Sequence, residues 1–170
     1  SLLCGNHQKG ACGSSGEGVV PEKPVVRQML IRRLEQIDSA RVRDASIAAC
    51  EAAYRAIDSS RIVTVLSYVP IAGANEIDPA YLTDCLQNAR VDKVPPLKNA
   101  PMPEETYDVI IVPVLGFRHD GYRLGRGGGW YDRLLEAQPQ AVTIGLAYAC
   151  TEVDFLSEPH DKRLTHMFTD

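Results

Sequence analysis

Residues 123–133, Arg-Leu-Gly-Arg-Gly-Gly-Gly-Trp-Tyr-Asp-Arg, follow an apolar run and a turn and precede a predicted helix. Glycine has no Cβ, so its backbone N–H can approach an anion closely and its φ can be positive. Amides of this kind at the start of a helix attract phosphate, because the unpaired donors and the helix dipole both favour negative charge. The stretch therefore predicts a phosphate-binding loop. The alternative is a flexible glycine hinge with solvated charges.

Charged side chains flank these glycines. Arg123, Arg126 and Arg133 carry guanidinium groups suited to phosphate or carboxylate oxygens. Asp132 offers a hard oxygen that can hold a phosphate-bound Mg²⁺. The spacing does not match the Walker A pattern G-x-x-x-x-G-K-[ST], and residues 125–130 fit G-x-G-x-x-G only without its last glycine. The loop alone thus predicts a phosphate-bearing ligand and does not say which one.

Length and composition indicate one globular domain. The chain has 170 residues, 45% of them hydrophobic and 24% charged, which is typical of an ordinary globular protein. A net charge of −4 argues against broad nucleic-acid binding, and no apolar run approaches the ~20 residues of a membrane span. We expect a flexible leader over residues 1–20, without the features of a secretory signal, and a folded domain over residues 21–170.

The five cysteines form no C-x-x-C pair, which indicates reduced thiols in a cytosolic protein. We expect Cys50 and Cys85 to be small core residues on helices.

Spacing of three and four residues predicts four helices. The first begins near Pro24 and buries Val26, Met29, Leu30, Leu34 and Ile37. The second begins near Ser39 with Ile47, Cys50, Tyr54 and Ile57 on one stripe. The third is capped by Asp78-Pro79 and runs to about Ala89, with Leu82 and Leu86 inward, and the fourth covers about 130–137.

Apolar runs predict strands at 61–69, 107–114, 141–148 and 164–168. Because the strands alternate with helices, we predict a single three-layer α/β/α domain with a mostly parallel central sheet. Residues 90–105 are polar and contain four prolines, so we expect no secondary structure there.

Residues 108–113, Phe117, residues 121–133, residues 145–148 and Pro159-His160-Asp161 together resemble the 5-formyltetrahydrofolate cyclo-ligase family. Near the other end, Lys23-x-x-x-Arg27 and Glu76-Ile77-Asp78 are similar to the family's N-terminal motifs. The resemblance implies a conversion of 5-formyltetrahydrofolate to 5,10-methenyltetrahydrofolate that requires ATP and Mg²⁺ and releases ADP and phosphate. We also expect a cytoplasmic monomer whose substrate can be polyglutamylated, with no nucleic-acid or membrane partner.

The resemblance assigns roles to individual residues. Lys23 and Arg27 are expected to contact the ATP phosphates, and Arg126 to stabilise the charge of the transferring phosphoryl group. Glu76 is expected to bind the pterin, Tyr131 to line the site as a catalytic and substrate-binding residue, and Asp132 to hold Mg²⁺. The remaining nucleotide-binding residues are expected to be Arg123, Gly125, Gly127, Gly128, Gly129 and Trp130. Asp161 is left outside this set, as a residue that caps a turn or pairs with an arginine.

Three positions depart from the family pattern. Trp130 stands where tyrosine is more usual, and Arg118 replaces an acidic residue. A middle segment near 90–105, with a strand and a folate-facing loop, is expected to be shortened or missing. If the protein itself lacks that segment, it is a nucleotide- or phosphate-binding module of the same fold without cyclo-ligase activity. If only the sequence in hand lacks it, the activity stands, and we favour this because losing an internal strand would leave sheet edges unpaired. A phosphosugar- or acyl-CoA-binding relative is a third possibility, which rests on fold analogy alone.

Overall fold

The computed structural model describes residues 18–170, so most of the predicted leader lies outside the described residues. The helices are α1 (Lys23–Glu35), α2 (Ser39–Ala56), α3 (Ala80–Cys85) and α4 (Trp130–Ala137). The strands are β1 (Thr64–Tyr68), β2 (Arg90–Val94), β3 (Val109–Pro113), β4 (Gly116–Phe117), β5 (Arg123–Leu124), β6 (Val142–Ala147) and β7 (His166–Thr169).

The central sheet is entirely parallel, with strand order β2-β1-β3-β6-β7. The middle strand β3 aligns Val109 with Val65 of β1 and with Val142 of β6. Its side chains alternate between the faces, so Ile111 packs with residues of α1, α2 and α3 while Ile110 packs with residues of α4. Helices therefore cover both faces, which confirms the predicted α/β/α domain.

Helix α1 forms as predicted, with Pro24 in its first turn. Val26, Leu30 and Leu34 are buried at the expected spacing. Met29 was also predicted to be inward, and this is wrong, because its side chain is 44% exposed. The buried stripe is narrower than the sequence suggested.

Helix α2 packs through a different face from the predicted one. Of the predicted stripe, Cys50 is buried, but Ile47 and Tyr54 are exposed. The buried face consists of small residues, namely Ala45, Ser46, Ala49, Cys50 and Ala53. Small side chains allow a helix to lie close to its neighbours, and this packing outweighs the hydrophobicity of the larger side chains. Burial raises the pKa of the Cys50 thiol to about 11, which fits the core role expected for it.

The expectation that residues 90–105 lack secondary structure is wrong for their first part. Residues Arg90–Val94 form β2, which pairs in parallel with β1 from Thr64↔Arg90 to Tyr68↔Val94. The strand is polar because it lies at the sheet edge, where charged side chains are common. Helix α3 is correspondingly shorter than predicted, ending at Cys85 rather than near Ala89, with Leu82 and Leu86 buried as expected. Whether the segment is shorter than in relatives stays a prediction.

The chain between β3 and α4 forms a small hairpin. Strands β4 and β5 pair antiparallel, joining Gly116 to Leu124 and Phe117 to Arg123. This hairpin carries the chain from the carboxyl end of β3 to the glycine stretch. The fourth helix has the predicted bounds, and β6 and β7 lie where strands were predicted. In the part of the chain that the structure describes, no helix combines the length and apolarity needed to cross a membrane.

We expect Ile111→Ala to lower the free energy of unfolding by about 3 kcal/mol, because truncating a buried isoleucine leaves a cavity in the core. Ile111 is 1% exposed and lies in the central strand. Urea unfolding measures the change. Val63→Ala is the control, since Val63 is 65% exposed, and its effect should stay within about 0.5 kcal/mol. Equal losses in the two variants would contradict the assigned core.

Candidate functional site

The glycine loop, residues 125–129, joins β5 to α4 beside the carboxyl ends of β1 and β3. Gly127 has φ 104° and Gly129, the N-cap of α4, has φ 69°. Both values lie in the left-handed region, which glycine adopts without strain. In the described structure, no backbone amide of residues 125–129 donates a hydrogen bond to another protein group. The loop therefore offers amide donors at a helix N-terminus, as an anion site requires.

Arg123 lies under this loop with its side chain 7% exposed. Its Nε donates to the Pro113 carbonyl at 3.2 Å, and its Nη1 lies 4.0 Å from Asp132 Oδ1. The guanidinium carbon is 5.3 Å from the centre of the Tyr131 ring, a cation–π distance. Burial lowers the pKa of Arg123, and the nearby Asp132 opposes this shift. A Cβ at Gly125 would clash with the Arg123 guanidinium, which would then have to move.

Arg27 approaches the loop from α1. Its Nε donates to the Gly125 carbonyl at 2.9 Å, a link between residues 98 positions apart. On the other side, Arg133 Nη1 donates to the Gly128 carbonyl at 3.3 Å. The two arginines bond the loop's carbonyls and leave its amides available.

Lys23 is buried and forms an ion pair with Asp161. The Lys23 Nζ lies 2.6 Å from both Asp161 carboxylate oxygens, and the two side chains are 7% and 5% exposed. Glu158 contributes a second carboxylate at 3.7 Å from Nζ. Asp161 was expected to lie outside the site and to cap a turn or pair with an arginine. The structure pairs it with Lys23, a predicted site residue.

Asp132, His160 and Asp161 bring ligand atoms within 4.8 Å of one another. Two carboxylates fit Mg²⁺, which prefers oxygen ligands and keeps several waters or substrate oxygens. Sequence reasoning found Asp132 alone. Pro159-His160-Asp161 was among the segments that carried the family resemblance, so the signal for the other two was present but was not used.

Glu76 and Arg126 contact each other across the site, with Arg126 Nε 3.3 Å from Glu76 Oε1. The other oxygen of Glu76 accepts from the Ile71 amide at 2.8 Å. The preceding residue, Asn75, has φ 55°, and its side-chain amide donates to the carbonyls of Leu34 and Ile37 at the end of α1. This anchor fixes the backbone that carries Glu76.

Two further predicted site residues, Trp130 and Tyr131, are the first residues of α4. Burial raises the pKa of Tyr131, so its hydroxyl is protonated at neutral pH. Trp130 Nε1 donates to the Ala100 carbonyl at 2.7 Å.

Arg118, which departs from the family pattern, pairs with Asp120 at 2.6 Å, so its charge is balanced by a residue two positions further along the chain.

The glycine loop lies in the part of the chain that matches a known family. Residues 78–170, which include the glycine loop, match the sequence model of the 5-formyltetrahydrofolate cyclo-ligase family. The chain belongs to this family. The resemblance noted in the sequence is thereby confirmed.

Parts of the chain are also similar to relatives named 5-formyltetrahydrofolate cyclo-ligase. The one from Mycoplasma pneumoniae is 42% identical over 64 residues, 37% of this chain and 39% of its own length. The one from Mycolicibacterium smegmatis is 42% identical over 73 residues, 40% of this chain and 38% of its own length. These alignments therefore span about two fifths of the curated relatives.

Two solved structures superimpose on a larger part of this chain than the sequence alignments cover. A 5,10-methenyltetrahydrofolate synthetase from Mycoplasma pneumoniae superimposes with a TM-score of 0.75 at 24% identity, covering 87% of this chain and 98% of that one. The Aquifex aeolicus 5,10-methenyltetrahydrofolate synthetase superimposes with a TM-score of 0.66 at 21% identity, covering 86% and 88%. This chain therefore shares the fold of these two structures along most of its length.

We expect Gly127→Ala to lower the free energy of unfolding by about 1–2 kcal/mol, because alanine is strained at a positive φ. Gly128→Ala is the matched control one residue away. Gly128 has no positive φ, and a Cβ there would meet nothing within 4 Å, so its effect should stay within about 0.5 kcal/mol. Urea unfolding of both variants measures the difference. A loop that tolerates both equally would not have this backbone conformation.

We expect Lys23→Met to lower the free energy of unfolding by about 3 kcal/mol at neutral pH, since it leaves the buried Asp161 carboxylate unpaired. Burial alone would raise the pKa of Asp161, but hydrogen bonds from Lys23 and the Glu158 amide outweigh burial and lower it. A carboxyl with a lowered folded-state pKa contributes stability above its unfolded pKa of about 4, and this contribution is lost as pH falls through the folded pKa.

The difference between wild type and Lys23→Met should therefore shrink below about pH 4. Denaturant melts at several pH values measure it. Arg43→Met is the control, because Arg43 and Asp44 form an exposed pair at 3.7 Å that should contribute less than about 1 kcal/mol. A difference that is unchanged at acidic pH would argue against an ionic Lys23–Asp161 contact.

Proposed function

We propose that the protein converts 5-formyltetrahydrofolate to 5,10-methenyltetrahydrofolate, consuming ATP with Mg²⁺ and releasing ADP and phosphate. The observation that carries this proposal is the glycine loop. Its backbone amides donate no hydrogen bond within the described structure, and Arg27, Arg123 and Arg126 lie beside it. Membership of the cyclo-ligase family supplies the reaction class. Phosphoryl transfer needs mostly positioning and charge neutralisation, which backbone donors and arginines provide.

In this proposal, the amides of Gly125, Gly127, Gly128 and Gly129 bind the phosphates. Arg123 supports them from below, where its burial strengthens its interaction with an anion. Lys23 and Arg27 reach the phosphates from the first turns of α1. Trp130 follows the loop directly and borders the nucleotide.

Asp132 and Asp161 are the proposed Mg²⁺ ligands, with His160 beside them. When bound there, Mg²⁺ would neutralise the phosphate oxygens and fix their orientation. Because Lys23 holds both oxygens of Asp161, this pair has to loosen when the metal and phosphates bind. The incoming phosphates compensate by offering the Lys23 ammonium new anionic partners.

The proposed chemistry proceeds on the substrate itself. The formyl oxygen forms a bond to the γ-phosphorus as the bond to the ADP oxygen breaks. N10 then attacks the formyl carbon and loses its proton, and the carbon–oxygen bond breaks with release of phosphate. Arg126 stabilises the charge on the transferring phosphoryl group. Since no side chain acts as a nucleophile, the site's task is to align the formyl oxygen with the phosphate.

Glu76 is proposed to accept hydrogen bonds from the pterin. In the structure it is held by Arg126 and the Ile71 amide, so phosphate binding by Arg126 would release one carboxylate oxygen for the substrate. Tyr131, whose pKa is raised further by burial, serves as a neutral donor in the site. Action as a cytoplasmic monomer, with polyglutamylated substrate accepted and no nucleic-acid partner, completes the proposal.

The proposed activity predicts that methenyltetrahydrofolate absorbance develops only when ATP, Mg²⁺ and 5-formyltetrahydrofolate are all present. Arg126→Ala should lower kcat about 100-fold, because one charge-stabilising donor for the transferring group is lost. Arg32→Ala is the control, an exposed arginine of α1 that should leave kcat unchanged. Nucleotide binding without turnover in the wild type would instead support a binding module of the same fold. Unchanged kcat in Arg126→Ala would remove that residue from the mechanism.

A further inference from the structure

A strap, defined as residues 95–105, connects the carboxyl end of β2 to the segment leading into β3. Because β2 is parallel to β1 and β3, the strap begins at the same sheet edge as the glycine loop. Pro95, Pro96, Pro101 and Pro103 restrict its backbone and remove amide donors. The strap is therefore stiff, but it has few ways to attach itself to the domain.

The strap makes few hydrogen bonds to the rest of the described structure. Within residues 18–170, its hydrogen bonds to the rest of the protein lie at two places. At its end, Glu105 accepts from Gln138 at 2.9 Å and pairs with Arg90. At its middle, the Ala100 carbonyl accepts from Trp130 Nε1 at 2.7 Å. Ala100 is buried, while residues 95–99 are all exposed.

The donor at this middle attachment belongs to the glycine loop's own helix. Trp130 is the first residue of α4 and follows the N-cap Gly129. Its ring packs edge-on against Tyr131, with ring centroids 4.9 Å apart, and Tyr131 in turn lies beneath the Arg123 guanidinium. A ligand that binds the loop amides and Arg123 would restrain this group of side chains, and with it the indole N–H.

We propose that Trp130 is a positioning residue that couples the strap to the glycine loop. Nucleotide bound at the loop holds the strap against α4 through the hydrogen bond from Trp130 to Ala100. The donor is the indole N–H, so this coupling depends on the tryptophan of this chain. The inference rests on the nucleotide binding proposed above.

Lys98 lies in the exposed part of the strap, so trypsin cleavage after it reports how often the strap opens. In the wild type, Mg²⁺ with a non-hydrolysable ATP analogue should slow this cleavage about fivefold. Trp130→Phe keeps a ring but removes the donor. We expect it to be cut about fivefold faster without nucleotide and to show no further effect of nucleotide, although calorimetry still detects nucleotide binding. Mass spectrometry of the fragments identifies the cut.

Tyr107→Phe is the matched control. The Tyr107 hydroxyl donates to Asp92 Oδ2 at 2.7 Å, so the variant removes an aromatic hydrogen bond of the same length beside the strap without releasing Ala100. Its cleavage after Lys98 should keep the nucleotide effect. Trp130 is also the only tryptophan, so its fluorescence emission in the wild type should shift when nucleotide binds.

The outcomes separate the two proposals. If calorimetry detects no nucleotide binding to the wild type, the proposed function fails and this inference fails with it. If nucleotide binds but leaves wild-type cleavage unchanged, the coupling is wrong while the proposed function stands, and this comparison needs no variant. If Trp130→Phe is cut as slowly as wild type and retains its thermal transition, the hydrogen bond to Ala100 does not hold the strap.

Discussion

Parallel pairing of β3 between β1 and β6 is the constraint on which the rest of the structure depends. In a parallel sheet all carboxyl ends lie at one edge, and each connection has to return across a face. The returning helices cover both faces and bury Ile110 and Ile111 on opposite sides. The same pairing brings Tyr68, Pro113 and the segments that follow them to a common edge, where open α/β sheets bind ligands.

At that edge the structure balances charges in pairs. Lys23 is matched by Asp161, Arg123 by Asp132 and Arg126 by Glu76. Each pair joins a residue proposed to contact phosphate with a carboxylate proposed to contact metal or substrate. Because unpaired charges are costly when buried, such pairs keep the site stable before a ligand arrives.

The local sequence predicted some elements well and others poorly. The fourth helix and the central strand were predicted correctly, the strand because an uninterrupted apolar run is a strong local signal. The face of α2 was predicted wrongly, since its buried alanines are less hydrophobic than the exposed Ile47 and Tyr54. Strand β2 was missed because its sequence is polar, and its conformation depends on hydrogen bonding to β1 along one edge.

The sequence by itself determined the fold class and the glycine loop, because these depend on short-range periodicity and on a motif with a chemical meaning, whereas Lys23, Arg27 and Glu76 were expected from the family resemblance. Only the tertiary structure decided which charges meet. It paired Lys23 with Asp161 across 138 positions and Arg126 with Glu76 across 50, and it connected Trp130 to Ala100. Such contacts join residues from different elements, and their distances are set by how the helices pack on the sheet, which no local pattern encodes.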